Sequence, residues 1–228
     1  MTARYFTPQV FSFLRDLAAN NDRDWFKAHQ DEYERHVREP ALDFITAAAA
    51  PLAEISPYLS VDARKVGGSL FRIHRDIRFS QDKTPYKTHT GMHFRHLHGG
   101  DVHTAGFYVH LQPGHSYMGA GMWRPAASVA QSIRQAIAAE PGEWLEATRG
   151  NKFADVFQLE GDSLVRPPRG FEPDHPLMDD LRRKDFAGTT TLTQKLVASK
   201  DFFDTFVDNC RRAAPLMQFL CAAVGLRF

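Results

Sequence analysis

The sequence predicts an α+β fold, a central antiparallel meander sheet with N- and C-terminal helices packed on one of its faces. Two observations carry this. Apolar residues recur at helical spacing near both ends of the 228-residue chain, and between residues 67 and 123 they alternate at the period of strands separated by short turns. Strands joined so closely pair antiparallel, and such a sheet buries one face while the other stays wet. The length suits a single domain over residues 1–228, with a helical part at 7–56, the sheet at 67–123, and helices and a long loop at 125–228.

Thr7 and Pro8 read as the cap and first residue of a helix carrying Val10, Phe11, Leu14 and Leu17, ended by Asn20-Asn21. Asp22 can cap a second helix holding Trp25, Phe26 and Tyr33. Pro40 opens a third through Leu42, Ile45 and an alanine run, and Pro51 is expected to end it near Ala50. Gly67-Gly68 marks the change to strands. Residues 71–79 place Phe71, Ile73, Ile77 and Phe79 on one face and Arg72, His74, Asp76 and Arg78 on the other, which predicts a half-buried strand. A helix would scatter those apolar positions around its cylinder. Arg75 falls on the apolar side, where a guanidinium requires a partner, either a carboxylate of the chain or an anionic ligand.

Thr84-Pro85 shapes a turn, since proline fixes its own φ and steers the residue before it away from the helical region. Residues 91–97, 105–112 and 115–123 supply three further strands, the last two joined as a hairpin by Pro113-Gly114. Pro125 opens a helix with Val129, Ile133 and Ile137 on its inner side, and residues 143–149 form another, ended by Gly150. Residues 163–186 hold Pro167, Pro168, Pro173 and Pro176 and read as a long ordered loop around a short helix at 177–183. Residues 189–193 read as an edge strand. From Phe202 onward an apolar stripe, bent at Pro215, carries Cys210 and Cys221, which match no metal or redox spacing and read as buried free thiols.

Composition is that of an ordinary globular protein, 43% hydrophobic and 24% charged, with a formal net charge of +1. That balance gives no global case for nucleic acid or an anionic membrane. No apolar run reaches signal-peptide or transmembrane length, so the expectation is a cytoplasmic protein with no membrane partner. Charge is instead concentrated locally. Residues 64–88 hold seven Lys or Arg (64, 65, 72, 75, 78, 83 and 87) against two acids (76 and 82), an excess of five.

Guanidinium forks grip phosphate and carboxylate bidentately, so the candidate anion site comprises Arg72, Arg75, Asp76, Arg78, Lys83, Tyr86 and Lys87. The bland alternative is an internal salt-bridge network pinning sheet to helices. On the wet face Tyr108 and His110 are secondary candidates, and Trp123 and Arg124 stand at a strand end where backbone amides could help hold an anion. Seven of the eleven histidines lie within 89–115. His96, His98 and His110 could in principle share a metal, but no cysteine or HExxH motif accompanies them, so they read as solvated or hydrogen-bonding and no metal is assigned. Gly119-Ala120-Gly121 lacks the full nucleotide fingerprint, and no serine has a nucleophile-elbow context. No cofactor is expected and no catalytic residue stands out.

The stretch FRIHRDIRFSQDKTPYKT, with AGFYVHLQPGHSYMGAGMW downstream and NNDRDWFKAHQDEYERHVREP upstream, resembles the domain-of-unknown-function family 2461, uncharacterised and mostly bacterial proteins of about this size. The family pattern R-x-x-R-D-x-R-F-S-x-D-K-x-P-Y-K falls on Arg72, Arg75, Asp76, Arg78, Phe79, Ser80, Asp82, Lys83, Pro85, Tyr86 and Lys87, with His74 where Tyr is commoner. The likeness runs almost end to end, through PRGFEPDHPLMDDLRRKDF. It implies one structural unit and no established reaction. Three functions are then in view: a pocket for a small anionic ligand, with or without catalysis; a nucleic-acid-binding module in which Phe79, Tyr86 or Tyr108 stack on bases; and an interaction protein whose arginines are internal mortar.

Overall fold

In the computed structural model, which describes residues 3–99 and 103–228, the N-terminal third is helical. Helices α1 (Gln9–Ala19) and α2 (Arg23–Ala28) are separated by Asp22, whose carboxylate accepts from the amides of Asp24 and Trp25, the capping geometry expected of it. Helix α3 (Gln30–Tyr33) passes through a π-helical turn (Glu34–Arg38) into α4 (Glu39–Ile55). Pro51 lies inside α4 and does not end it. The alanines before it have the highest helix propensity, and Phe44, Ile45, Ala48 and Leu52 hold the helix to the core on both sides of the proline.

Five strands follow: β1 (Thr90–Arg95), β2 (Gly106–Leu111), β3 (Tyr117–Met122), β4 (Gln158–Glu160) and β5 (Phe186–Thr191), all antiparallel in the order β1-β2-β3-β5-β4. The first three form the meander. The strand near residue 189 is not at the edge as expected, because β4 covers it. Between them run α5 (Ala127–Ala139), α6 (Pro141–Arg149), α7 (Asn151–Ala154) and α8 (Met178–Leu181), and the chain closes with α9 (Gln194–Val197) and α10 (Phe202–Ala223).

Period-2 alternation decides what each face of the sheet carries. Met92 and Phe94, Phe107 and Val109, Met118 and Ala120, and Phe186 point into the core. There Phe94 meets Phe206 of α10 at 5.3 Å between ring centroids, and Phe44 of α4 stacks on Phe202 at 5.3 Å. Helices from both ends of the chain therefore share one face. Cys210 and Cys221 are buried free thiols within this layer, and burial pushes both up. No helix among the described residues is long and apolar enough to cross a membrane.

The strand expected at 71–79 is not one. Leu70 bridges Met92 at the free edge of β1, and the chain then leaves the sheet so that His74 bridges Tyr86. Local chemistry diverts it: Asp76 accepts the amide of Arg78 and Asp82 that of Thr84, turns that compete with a ladder, and Pro85 has no amide to donate. The alternation itself survives in burial. Residues 71, 73, 75 and 77 are at least partly covered and 72, 74, 76 and 78 are exposed, until Phe79, which stands 95% exposed.

Candidate functional site

The basic motif is a closed loop. Arg75 donates its amide to the Pro85 carbonyl at 2.9 Å and Lys87 its amide to that of Ile73 at 2.8 Å, which ties residues 73–75 to 85–87. Within the loop, Arg75 pairs with Asp82 and donates to Thr84 Oγ1 at 2.7 Å, so the partner demanded by its place on the covered side is a carboxylate of the chain. Arg78 grips Asp76 bidentately at 2.9 and 2.7 Å. Lys83 donates to the Ile77 carbonyl at 2.9 Å and Lys87 to that of Arg72 at 2.9 Å. Hydrogen bonds from the Arg78 side chain and amide hold Asp76 well below the usual carboxylate range. The Thr84 amide and hydroxyl, then Arg75, hold Asp82 down to about 2. Tyr86 is buried, stacked on Phe26 at 4.1 Å, and its backbone is clamped by Asn21 through two 3.0 Å bonds, which anchors the loop to the α1–α2 turn.

Arg72, like Lys83 and Lys87, has no carboxylate within ion-pairing distance among the described residues. Burial, then the charges of Arg72, Arg23 and Lys87, lowers the pKa of His74, so three cations bear on one imidazole. Lys87, half-buried, is itself lowered by burial and by Arg72, and its ammonium stands 5.5 Å from the centroid of the Phe71 ring.

Phe71 is also a wall of a cleft of about 620 Å³ on the open face of the sheet. Outward-facing Gly106, Gly119, Gly121 and Ala187 pave its floor. Tyr108 and His93 rise on the β1–β2 side, Thr189 and Glu160 on the β5–β4 side, with Tyr117 and Trp123 toward the two ends of β3. Tyr108 leans over Gly91, where a Cβ would come within 2.5 Å of its hydroxyl, and donates to His110 Nδ1 at 3.1 Å; His110 Nε2 donates to the Gln112 amide oxygen at 2.9 Å. Burial lowers the pKa of His110 and raises that of Tyr108, so this chain of hydrogen bonds is neutral. His110 itself does not line the cleft.

Trp123, 47% exposed, lines the cleft mouth, and Arg124 next to it adopts φ 48°. The buried carboxylate of Asp185 fixes that turn, accepting the amides of Arg124 at 2.8 Å and Asp162 at 2.9 Å. The Arg124 amide is thus already bonded within the chain. Of the three histidines that could in principle share a metal, His96 is buried, stacked on Tyr58 and bonded to the Arg227 carbonyl at 2.6 Å with His98 beside it at 5.6 Å between ring centroids, while His110 sits in the Tyr108 chain. Among the described residues no three His, Cys, Asp or Glu side chains are grouped to hold a metal. Residues 100–102 of the histidine-rich loop lie outside the described residues.

The motif is therefore brought together as a loop, while the concavity lies beside it and is made largely of residues that carry no charge. Its signal in the sequence is the glycine pair at 119 and 121, a strand with glycine at alternating positions, which bares one face of a sheet. Neither the curated proteins nor the solved structures compared with the chain contain a match. A family model described as conserved hypothetical protein (DUF2461) matches residues 9–219, and the chain belongs to that family.

Proposed function

We propose that the protein binds a small organic anion, with Arg72 and Lys87 holding the charged group and the neighbouring cleft taking the body of the molecule. The observation that carries this is that the Lys87 ammonium reaches the Arg72 carbonyl at 2.9 Å beside the Phe71 ring, while neither Arg72 nor Lys87 has a carboxylate in ion-pairing distance among the described residues. Cationic side chains that make no direct ion pair within the chain are available to the charged group of a ligand. Phe71 links the two parts, facing the cleft while lying close to the Lys87 ammonium. Arg75, Asp76, Arg78, Lys83 and Tyr86 then serve the site by shaping and anchoring the loop. Thermal-shift measurements against phosphorylated and carboxylated metabolites test this. Stabilisation by at least one anion should be lost in Arg72→Ala and kept in Arg78→Ala; equal responses of wild type and Arg72→Ala would end the proposal.

A second reading rests on Phe79, 95% exposed at the loop tip with the Arg78 guanidinium 5.9 Å from its ring centroid. Such a pair suits a stacked base of single-stranded nucleic acid beside its phosphates. It predicts affinity that falls steeply with salt and drops in Phe79→Ala. A flat salt response removes it.

A further inference from the structure

The cleft floor limits the shape of what can lie on it. Two outward rows cross the sheet, one of His93, Tyr108, Gly119 and Thr189 and the next of Gly106, Gly121, Ala187 and Glu160. Gly106 is already covered, since a Cβ there would stand 2.6 Å from His93 Nε2. Gly121 has φ 130°, a backbone conformation that itself calls for glycine. Gly119 differs from both. A Cβ at that position would meet nothing nearer than the Gly188 carbonyl at 3.8 Å and Tyr108 Cβ at 4.0 Å, so the fold does not require glycine and the space belongs to the cleft.

From Tyr108 across Gly119 to Thr189 the backbone spans two inter-strand spacings, about 10 Å, and from Gly119 to Gly121 about 7 Å. That is a flat bay of fused-ring size. Trp123 stands at one end and Tyr117 toward the other, surfaces suited to the faces and edges of a planar ring. On the β4 side Glu160 offers a carboxylate whose two oxygens match two adjacent N–H donors. Thr189 adds a hydroxyl that can donate or accept.

We infer that the cleft takes a planar fused-ring heterocycle of the guanine type, laid over Gly119 and Gly121 with its adjacent ring N–H and amino donors turned to Glu160. This rests on the cleft being the ligand site proposed above and names the class of ring it holds. Adenine puts a ring acceptor beside its amino group on that edge, where the carboxylate repels it.

Calorimetric titration of the full chain with guanosine 5′-monophosphate, guanosine, adenosine and ribose 5-phosphate tests it. Guanosine should bind, and adenosine about five-fold weaker or more, the lower end of what one bidentate contact discriminates. Gly119→Leu should fill the bay and abolish guanosine binding while leaving that of ribose 5-phosphate. Trp123→Ala, which changes only an exposed wall, should weaken guanosine about two-fold or more, the lower end for one aromatic contact. No binding of guanosine, equal binding of adenosine, or unchanged guanosine affinity in both variants overturns the inference. Binding of ribose 5-phosphate without guanosine overturns the ring assignment alone; guanosine without ribose 5-phosphate overturns the anion reading alone.

Discussion

Acid should destabilise this protein from about pH 6.5 downward, because His89 and His93 are held neutral. Burial, aided by His110, Lys87 and Arg75, lowers His89 to about 4; burial, aided by Arg95, lowers His93 to about 4. His93 lies over Gly106, 6.1 Å from Phe71 and 6.2 Å edge-on from Tyr108, and His89 packs on His110 at 4.3 Å. In the unfolded chain both titrate near 6.5. Between pH 6.5 and 4 the unfolded state therefore binds more protons, and stability falls as pH falls through that window. The steepest slope is about 1.4 kcal/mol per pH unit for each histidine. A shift from 6.5 to about 4 would give about 3 kcal/mol apiece, and partial solvent contact of both rings reduces the pair to roughly 3 kcal/mol in total. Urea melts at pH 7.5, 6.5, 5.5 and 4.5 measure this directly. Wild type should lose most of that amount, and His93→Gln and His89→Gln should each flatten the curve by about half. A wild-type stability independent of pH across the window, or variants with the wild-type slope, would refute the burial argument.

Asp185→Ala removes the acceptor for two backbone amides, each bond to a charged group contributing about 1.5–3 kcal/mol, so a loss near 3 kcal/mol should appear as a melting temperature lower by about 6–12 °C. Gly91→Ala drives a methyl into the Tyr108 hydroxyl and should destabilise by about 1–3 kcal/mol in denaturant melts, whereas Gly119→Ala should be neutral or stabilising by up to about 1 kcal/mol; the reverse order would contradict the packing of the open face. A double-mutant cycle of Arg75→Ala with Asp82→Ala, read by thermal unfolding, should return a small favourable coupling, modest because both partners contact solvent; no coupling or an unfavourable one would contradict the pairing.

Much of the architecture can be read along the chain because it depends on neighbours in sequence. Asp22 caps α2 through amides two and three residues on, and the meander follows from strands joined by turns too short for a crossover. Pro51 and residues 71–79 mislead for the opposite reason. Helix α4 continues past its proline because Leu52 is buried in the core, and the pleated alternation of 71–79 gives way to bonds with residues 82–87.

By itself the sequence determined where positive charge accumulates, that Arg75 needs a counter-charge, and which residues of each strand face inward, since these follow from composition and from the two-residue period of the pleat. Only the tertiary structure decided which cations are paired, because Asp82 reaches Arg75 and Asp76 reaches Arg78 while Arg72 makes no ion pair among the described residues. It also decided that the hollow lies beside the basic loop. A bay is made by what side chains leave empty across strands β2, β3 and β5, and that depends on pairing Tyr108 with Gly119 and Gly119 with Thr189, a register no single strand contains.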